Sequence, residues 1–257
     1  MISLPVSGVM LSVREPSGND ELFVLEHPHA PLPTLLELAC RVGDAATGGP
    51  LDWTALPATD LDAAGLLIRR SWLGDTIRTD TTCPGPGCQE RIDVSFGITD
   101  YIDHHRPRRA RGAAVEPEKG WFRLAGAAVR FRIPTVADLL EATSDAPPAD
   151  TLSVRCIDAP ELSSALARRL DRALARLAPR LDDLLGGSCP ACGQQVTMRF
   201  DPLVYTLAEL HSAFSGLYLE THAIAAAYGW PEHEILALPR SRRRRYASII
   251  ADERSVA

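Results

Sequence analysis

Cys83-Pro84-Gly85-Pro86-Gly87-Cys88 and Cys189-Pro190-Ala191-Cys192-Gly193 are the two segments on which the fold turns. Each short Cys-loop-Cys turn offers two thiolates on one side of a metal, and four such ligands complete the tetrahedron of a structural zinc site. Gly193, directly after the second pair, permits the tight backbone turn of a zinc knuckle. The set Cys83, Cys88, Cys189 and Cys192 leaves no open position for a catalytic water, so the cofactor it predicts is structural Zn2+. The first pair is spaced more loosely than the second. The competing reading is one buried or redox-active pair beside an incidental one, which would make this a dithiol redox protein. Cys40 and Cys156 have no short-range Cys partner and read as buried small hydrophobes.

Outward from the cysteines, the same order of elements is read twice. Ile92, Val94 and Phe96 alternate with polar residues after the first pair, as Val196, Met198 and Phe200 do after the second, and both runs predict strands. At a constant offset of 104, Cys88 matches Cys192, Phe96 matches Phe200 and Tyr101 matches Tyr205. At an offset of 101, Leu32-Pro33-Thr34 matches Ile133-Pro134-Thr135. Upstream of each pair, a hairpin and two helices are expected. In the first half these are a hairpin over 8–27 turning at Pro16–Asp20, a helix boxed by Thr34 and Glu37, and a helix capped by Asp60. In the second half they are a hairpin around Gly126, a helix opened by Pro134-Thr135 with Asp138 three residues on, and a helix from about Pro160 to Leu177. A Pro-rich break falls at 146–149 between those helices. The recurrence reads as an internal duplication around a shared four-cysteine, zinc-ribbon-like site, with two unrelated local motifs as the alternative.

The stretch 104–120, with Arg106, Arg108, Arg109 and Arg111, carries no apolar periodicity and reads as a solvated linker. His104-His105 beside it reads as a solvated turn. From Leu207 to Ile224, apolar residues three and four apart predict one long helix ending near Tyr228-Gly229, with His211 and His222 as core or interface histidines. Pro231 then opens a short helix and Pro239 interrupts it. A final helix carries the arginines of 240–245 and Tyr246. The fold class expected is α+β, mainly helical with short β-hairpins and a helical C-terminus. Its divisions are 1–103, the 104–120 linker, 121–205 and the helices of 206–257.

Composition narrows the function. The 257 residues carry 27 Lys+Arg against 33 Asp+Glu, a net charge of −6, which has the wrong sign for a protein that coats nucleic acid. A hydrophobic content of 46% is enough to build a core, so wholesale disorder is excluded. No apolar run reaches the roughly 18–20 residues a membrane span needs. Met1–Pro5 lacks a basic n-region, so a cytoplasmic protein is expected. No Walker loop, Gly-x-Gly-x-x-Gly turn, Gly-x-Ser-x-Gly elbow or His-Glu-x-x-His is present, and no enzyme is expected. The Arg-rich last helix reads as a partner-docking face or a solvated one, with nucleic acid as a third option.

The run Ala226-Ala227-Tyr228-Gly229-Trp230-Pro231-Glu232-His233-Glu234-Ile235-Leu236-Ala237-Leu238-Pro239, continued by Arg242–Tyr246, resembles the tail of the T4-type phage baseplate protein family. Ile133-Pro134-Thr135 with Asp138, and the Cys-Pro-x-Cys-Gly knuckle at 189–193, are similar to that family as well, so the likeness spans roughly 128–250. The resemblance implies a baseplate or hub component, or its assembly factor, in a contractile tail or injection system. The implied partners are other baseplate or tail subunits, in a particle assembled in the cytoplasm, with no small-molecule substrate. Trp230, Arg242, Arg243, Arg244, Arg245 and Tyr246 are the expected docking residues. The alternative is a zinc-ribbon regulator that binds nucleic acid through the 104–120 arginines and the last helix.

Overall fold

The computed structural model describes residues 2–47, 51–118, 120–144 and 155–256. The chain is α+β, mainly helical, with small antiparallel sheets and a helical C-terminus. Strands β1 (Ile2–Ser3), β2 (Met10–Val13) and β3 (Gly43–Ala45) form one sheet beside helices α1 (Gly18–Glu26), α2 (Pro31–Val42) and α3 (Ala58–Leu73). A hairpin of β4 (Thr76–Thr82) and β5 (Arg91–Gly97) follows, then α4 (Ile98–His104). Strands β6 (Ala113–Val115), β7 (Trp121–Leu124), β8 (Arg130–Arg132) and β9 (Ile157–Asp158) make a four-stranded sheet, with α5 (Val136–Ser144) between its last two strands. Helix α6 (Ser164–Leu177) leads to the hairpin β10 (Asp183–Ser188) and β11 (Gln195–Phe200). Helices α7 (Pro202–Phe214), α8 (Leu217–Tyr228), α9 (Glu232–Ala237) and α10 (Arg240–Val256) close the chain. Among the described residues, no helix is long and apolar enough to cross a membrane.

Both halves feed one core. Leu35, Leu38, Leu66, Leu67 and Ile68 from the first half are buried with Val136, Leu181, Phe200, Leu210 and Phe214 from the second. Helix α3 runs through this core and is covered on almost every side, as its Leu61 to Ile68 run of small and aliphatic residues allows.

Two helix starts share one design. Arg14-x-Pro16-Ser17-x-x-Asp20 opens α1, and Arg132-x-Pro134-Thr135-x-x-Asp138 opens α5. Asp20 accepts from the Ser17 N–H (2.8 Å) and both Arg14 Nη atoms (2.7 and 2.9 Å). Asp138 does the same with the Thr135 N–H (2.8 Å) and Arg132 (2.5 and 2.7 Å). Each start clasps the Leu-Pro entry of another helix through paired backbone bonds. Val136 N–H donates to Leu56 O and Ala58 N–H to Pro134 O, both at 2.9 Å. Gly18 N–H donates to Leu238 O (3.3 Å) and Arg240 N–H to Pro16 O (2.9 Å). Only glycine fits at Gly18, because a Cβ there would lie 2.8 Å from Leu236 Cα. The second-half start therefore holds a first-half helix, and the first-half start holds the last helix.

Several local expectations are corrected. Residues 18–26 form a helix and not a returning strand, because Ser17 and Asp20 box its N-terminus within the segment of turn composition. Thr34 does not cap α2, which begins at Pro31; its hydroxyl instead donates to His27 O (3.1 Å). Asp60 lies inside the first turn of α3 and accepts from the Val6 and Ser7 N–H groups, tying down the β1–β2 turn. Helix α6 starts later than expected, behind Ser163 as its cap. The long C-terminal helix breaks at Ser215-Gly216 into α7 and α8. The 104–120 stretch is not wholly solvated: Ala110 is buried, and β6 adds to the sheet that β7 and β8 begin. The hairpin around Gly126 and both strands after the cysteines form as expected. The break at 146–149 lies outside the described residues.

Burial opposes charge on Asp138, but Arg132 and the Thr135 N–H and hydroxyl outweigh it and hold the carboxyl well below the usual range. A carboxylate depressed in this way contributes stability that is complete above its unfolded pKa of about 3.9 and fades as pH falls through the folded value. Arg132 is 23% exposed, so Asp138→Asn is expected to cost about 2–3 kcal/mol, below the usual range for breaking a fully buried pair. In urea melts, the gap to the parent protein should be constant from neutral pH down to about 5 and shrink below about 4. An undiminished gap in acid would disprove this account.

Candidate metal centre

Both cysteine pairs sit at hairpin tips, and the strands aim them at each other. Cys83 follows β4 and Cys88 precedes β5; Cys189 follows β10 and Cys192 lies just before β11. The two tips are built alike. Cys83 N–H donates to Glu90 O and Cys189 N–H to Gln194 O, each at 2.9 Å. Gly193 N–H then donates back to Cys189 O (2.9 Å), with Gly193 at φ +75°, a left-handed turn that any side chain would strain.

The sulfurs converge across about a hundred residues of sequence. Cys83 Sγ lies 3.6 Å from Cys192 Sγ, and Cys88 Sγ lies 3.8 Å from Cys189 Sγ. All four lie within 4.8 Å of one another and can hold a metal ion. The separations decide between bonding modes. A disulfide needs about 2.05 Å, whereas thiolates at a metal–sulfur distance of about 2.3 Å stand about 3.8 Å apart at tetrahedral corners. Both of these short contacts join a cysteine of one hairpin to a cysteine of the other, at separations that fit a four-thiolate site. Cys83 and Cys189 are buried, Cys88 is half-buried and Cys192 is exposed, with Ile92 and Val196 packed beneath.

The electrostatics require a cation for full ionisation. The Gly85 N–H favours the Cys83 thiolate, yet burial and the neighbouring sulfurs push that thiol up to about 12. Burial also opposes ionisation of Cys189, but the Cys192 and Ala191 N–H groups and the other thiols bring it down to about 7. Cys189 is thus the readier thiolate, while Cys83 and Cys88 are held back from ionising beside it unless positive charge lies between them.

Aromatic residues brace the hairpins behind the sulfurs. Phe96 and Phe200 meet edge to face at 5.2 Å, flanked by Tyr101 and Tyr205. Tyr101 Oη donates across to Leu181 O (2.6 Å) and Tyr205 Oη across to Arg78 O (2.9 Å). Tyr101 thus reaches the backbone leading into the second hairpin, and Tyr205 the first strand of the other. The repeat at offset 104 marks both residues in the sequence, but nothing there reveals that their bonds cross.

The expected docking residues divide. Arg243 is fully buried, donating to Glu21 (2.5 Å) and Glu220 (3.0 Å) between α1, α8 and α10, so it is a core group and not a surface one. Glu21 carries no signal in a sequence whose residues 22–25 read as a strand; only the helix brings it to Arg243. Arg242 and Arg245 are exposed, and Arg244 is exposed beside Glu220 at 3.5 Å. Trp230 and Tyr246 pack edge to face at 5.1 Å, with Tyr228 against both. His105 binds Tyr101 O and faces Asp183, away from the sulfurs. His211 and His222 are exposed, not core; Cys156 is buried as expected, but Cys40 is exposed. Compared with protein-family models, curated proteins and solved structures, the chain matches none.

Two predictions follow from these positions. Cys192→Ser should lower the metal content of the purified protein below about one ion per chain and lower its melting temperature. Full occupancy by elemental analysis would refute the four-ligand reading. Arg243→Ala should destabilise the fold by about 3 kcal/mol, because it removes the shortest ion pair of the buried Glu21 and leaves that carboxylate only the 3.4 Å contact with Arg240. Arg242→Ala and Arg245→Ala should each shift stability by less than about 0.5 kcal/mol.

Proposed function

We propose that this chain is a zinc-stapled structural component, or assembly factor, of the baseplate of a contractile phage-tail-like injection system. Zinc suits a closed set of four thiolates, since it has no redox chemistry and tolerates the tetrahedron the hairpins impose. When bound it would supply charge neutralisation and a cross-link between the two halves. Cys83 and Cys88 would hold it from one hairpin, Cys189 and Cys192 from the other.

The observation that carries the assembly reading is the outer face of α8. Leu219 is 76% exposed and Tyr218 55%, on a helix whose inner side is already buried through Leu217, Thr221 and Ile224. The exposed Arg242 and Arg245 of α10 lie beyond the aromatic group of Tyr228, Trp230 and Tyr246. Exposed apolar side chains on α8, with exposed guanidinium groups on the neighbouring α10, suit burial against another subunit that supplies aliphatic and carboxylate side chains. The family resemblance of 128–250 names the machine, and this surface supplies the physical means.

Co-expression with the tube, sheath and spike proteins of a contractile injection system from the same source tests the proposal. The chain is expected to co-migrate with at least one of them through gel filtration. Leu219→Glu should abolish that association while leaving metal content unchanged. A chain that stays alone with every such protein would defeat the reading.

A further inference from the structure

The arginines of the 104–120 stretch do not disperse into solvent. Arg109 and Arg111, from the segment entering β6, line an open cleft of about 520 Å3 with Arg176 of α6. An adjoining cleft of about 230 Å3 shares Arg111, Gly112 and Arg176, and adds Arg169 and Arg172. The Arg108 N–H donates to Arg176 O (2.6 Å), which pins the loop against the end of the helix. On α6, residues 169, 172 and 176 fall on one face, with the first and last about 10 Å apart along the axis. The only acid of that helix, Asp171, points to the opposite side by the same periodicity.

These five guanidinium groups lack the carboxylates that other arginines of this acidic chain possess. The neighbours on either side are paired, Arg106 with Asp103 and Arg180 with Asp182. Among the described residues, the five have no ion pair. Arg169 rests on the Ala125 carbonyl (2.6 Å) and Arg172 on the Arg168 carbonyl (3.1 Å). The negative end of the α6 dipole accounts for cations late in that helix. It does not account for two more brought in from another element to the same concavity.

We infer that Arg109, Arg111, Arg169, Arg172 and Arg176 form a binding site for a ligand with closely spaced phosphate groups. Charge density selects phosphate over an acidic peptide. An extended peptide places same-face carboxylates about 6.6–6.8 Å apart with one charge each. A phosphate monoester carries nearly two charges and three acceptor oxygens, and guanidinium groups meet phosphate bidentately. The lining holds no aromatic side chain, so the site reads phosphate and not a stacked base. Phosphate at that density comes from a small polyphosphate; a nucleic-acid backbone, whose diesters carry one charge each but still meet guanidinium groups bidentately, is the other source, and neither depends on the assembly role.

Isothermal titration of the full chain with tripolyphosphate and with oligothymidylate, at several salt concentrations, tests the site. Binding is expected to at least one of them, and the double variant Arg172→Ala/Arg176→Ala should weaken it at least about tenfold. Arg109→Ala/Arg111→Ala, altered in an exposed loop, should do the same with an unchanged melting temperature, and Arg242→Ala should have no effect. If the nucleic-acid backbone is the source, oligothymidylate binds tighter, with a log–log salt slope near about −3.5 that falls to about −2 in either double variant. Tripolyphosphate binding as tightly or more tightly assigns a small polyphosphate. The inference is overturned if neither binds, if the double variants bind like the parent, or if poly-L-glutamate outcompetes both.

Discussion

Four sulfurs within 4.8 Å of one another cannot all carry charge unless a cation lies among them, and they belong to hairpins from opposite halves of the chain. That constraint organises the rest of the structure. Like charges at such separations repel strongly in any protein environment, so the ionised cluster and the joined hairpins form together. The span is entropically inexpensive, since the cost of closing a loop grows only logarithmically with its length. Behind the sulfurs, the crossed bonds of Tyr101 and Tyr205 and the Phe96–Phe200 contact hold the hairpins in the orientation that the tips require.

The helix-start clasps apply the same logic elsewhere. Asp20 and Asp138 each complete a helix N-terminus and neutralise an arginine at the end of the preceding strand or just past it, and each start then pairs backbone with a distant Leu-Pro entry. The halves are interlocked at three places: the cysteine cluster, the α5 clasp on α3 and the α1 clasp on α10. A buried Arg243 between Glu21 and Glu220 reinforces the last of these. The surface left over is unevenly charged, with an arginine-lined cleft on a chain of net charge −6.

Much of the site was legible before the structure. Cysteine spacing, the glycine of the knuckle and the alternation of Ile92, Val94 and Phe96 are local signals, and local signals survive folding. The repeat around Phe96 and Phe200 was also visible. Elsewhere, equally local alternatives compete. Pro16 to Asp20 has turn composition and capping-box composition at once, and the bonds of Asp20 to Arg14 and Ser17 decide for a helix. Thr34-x-x-Glu37 has the same pattern, yet α2 had already begun at Pro31. The alignment of Thr34 with Thr135 at offset 101 therefore matched the wrong helix. The structural counterpart of Thr135 is Ser17, within the shared Arg-x-Pro start.

The sequence by itself determined which residues can bind metal, where strands follow the cysteines, and that the chain mixes helices with short hairpins, because each of these rests on spacing within a few residues. Only the tertiary structure decided that the two thiol pairs meet and that Arg243 is buried while its neighbours are not. It likewise drew the arginines of a presumed linker and of a distant helix into one cleft. Those outcomes depend on contacts between segments tens to hundreds of residues apart, where one shared core selects among arrangements that local chemistry leaves equal.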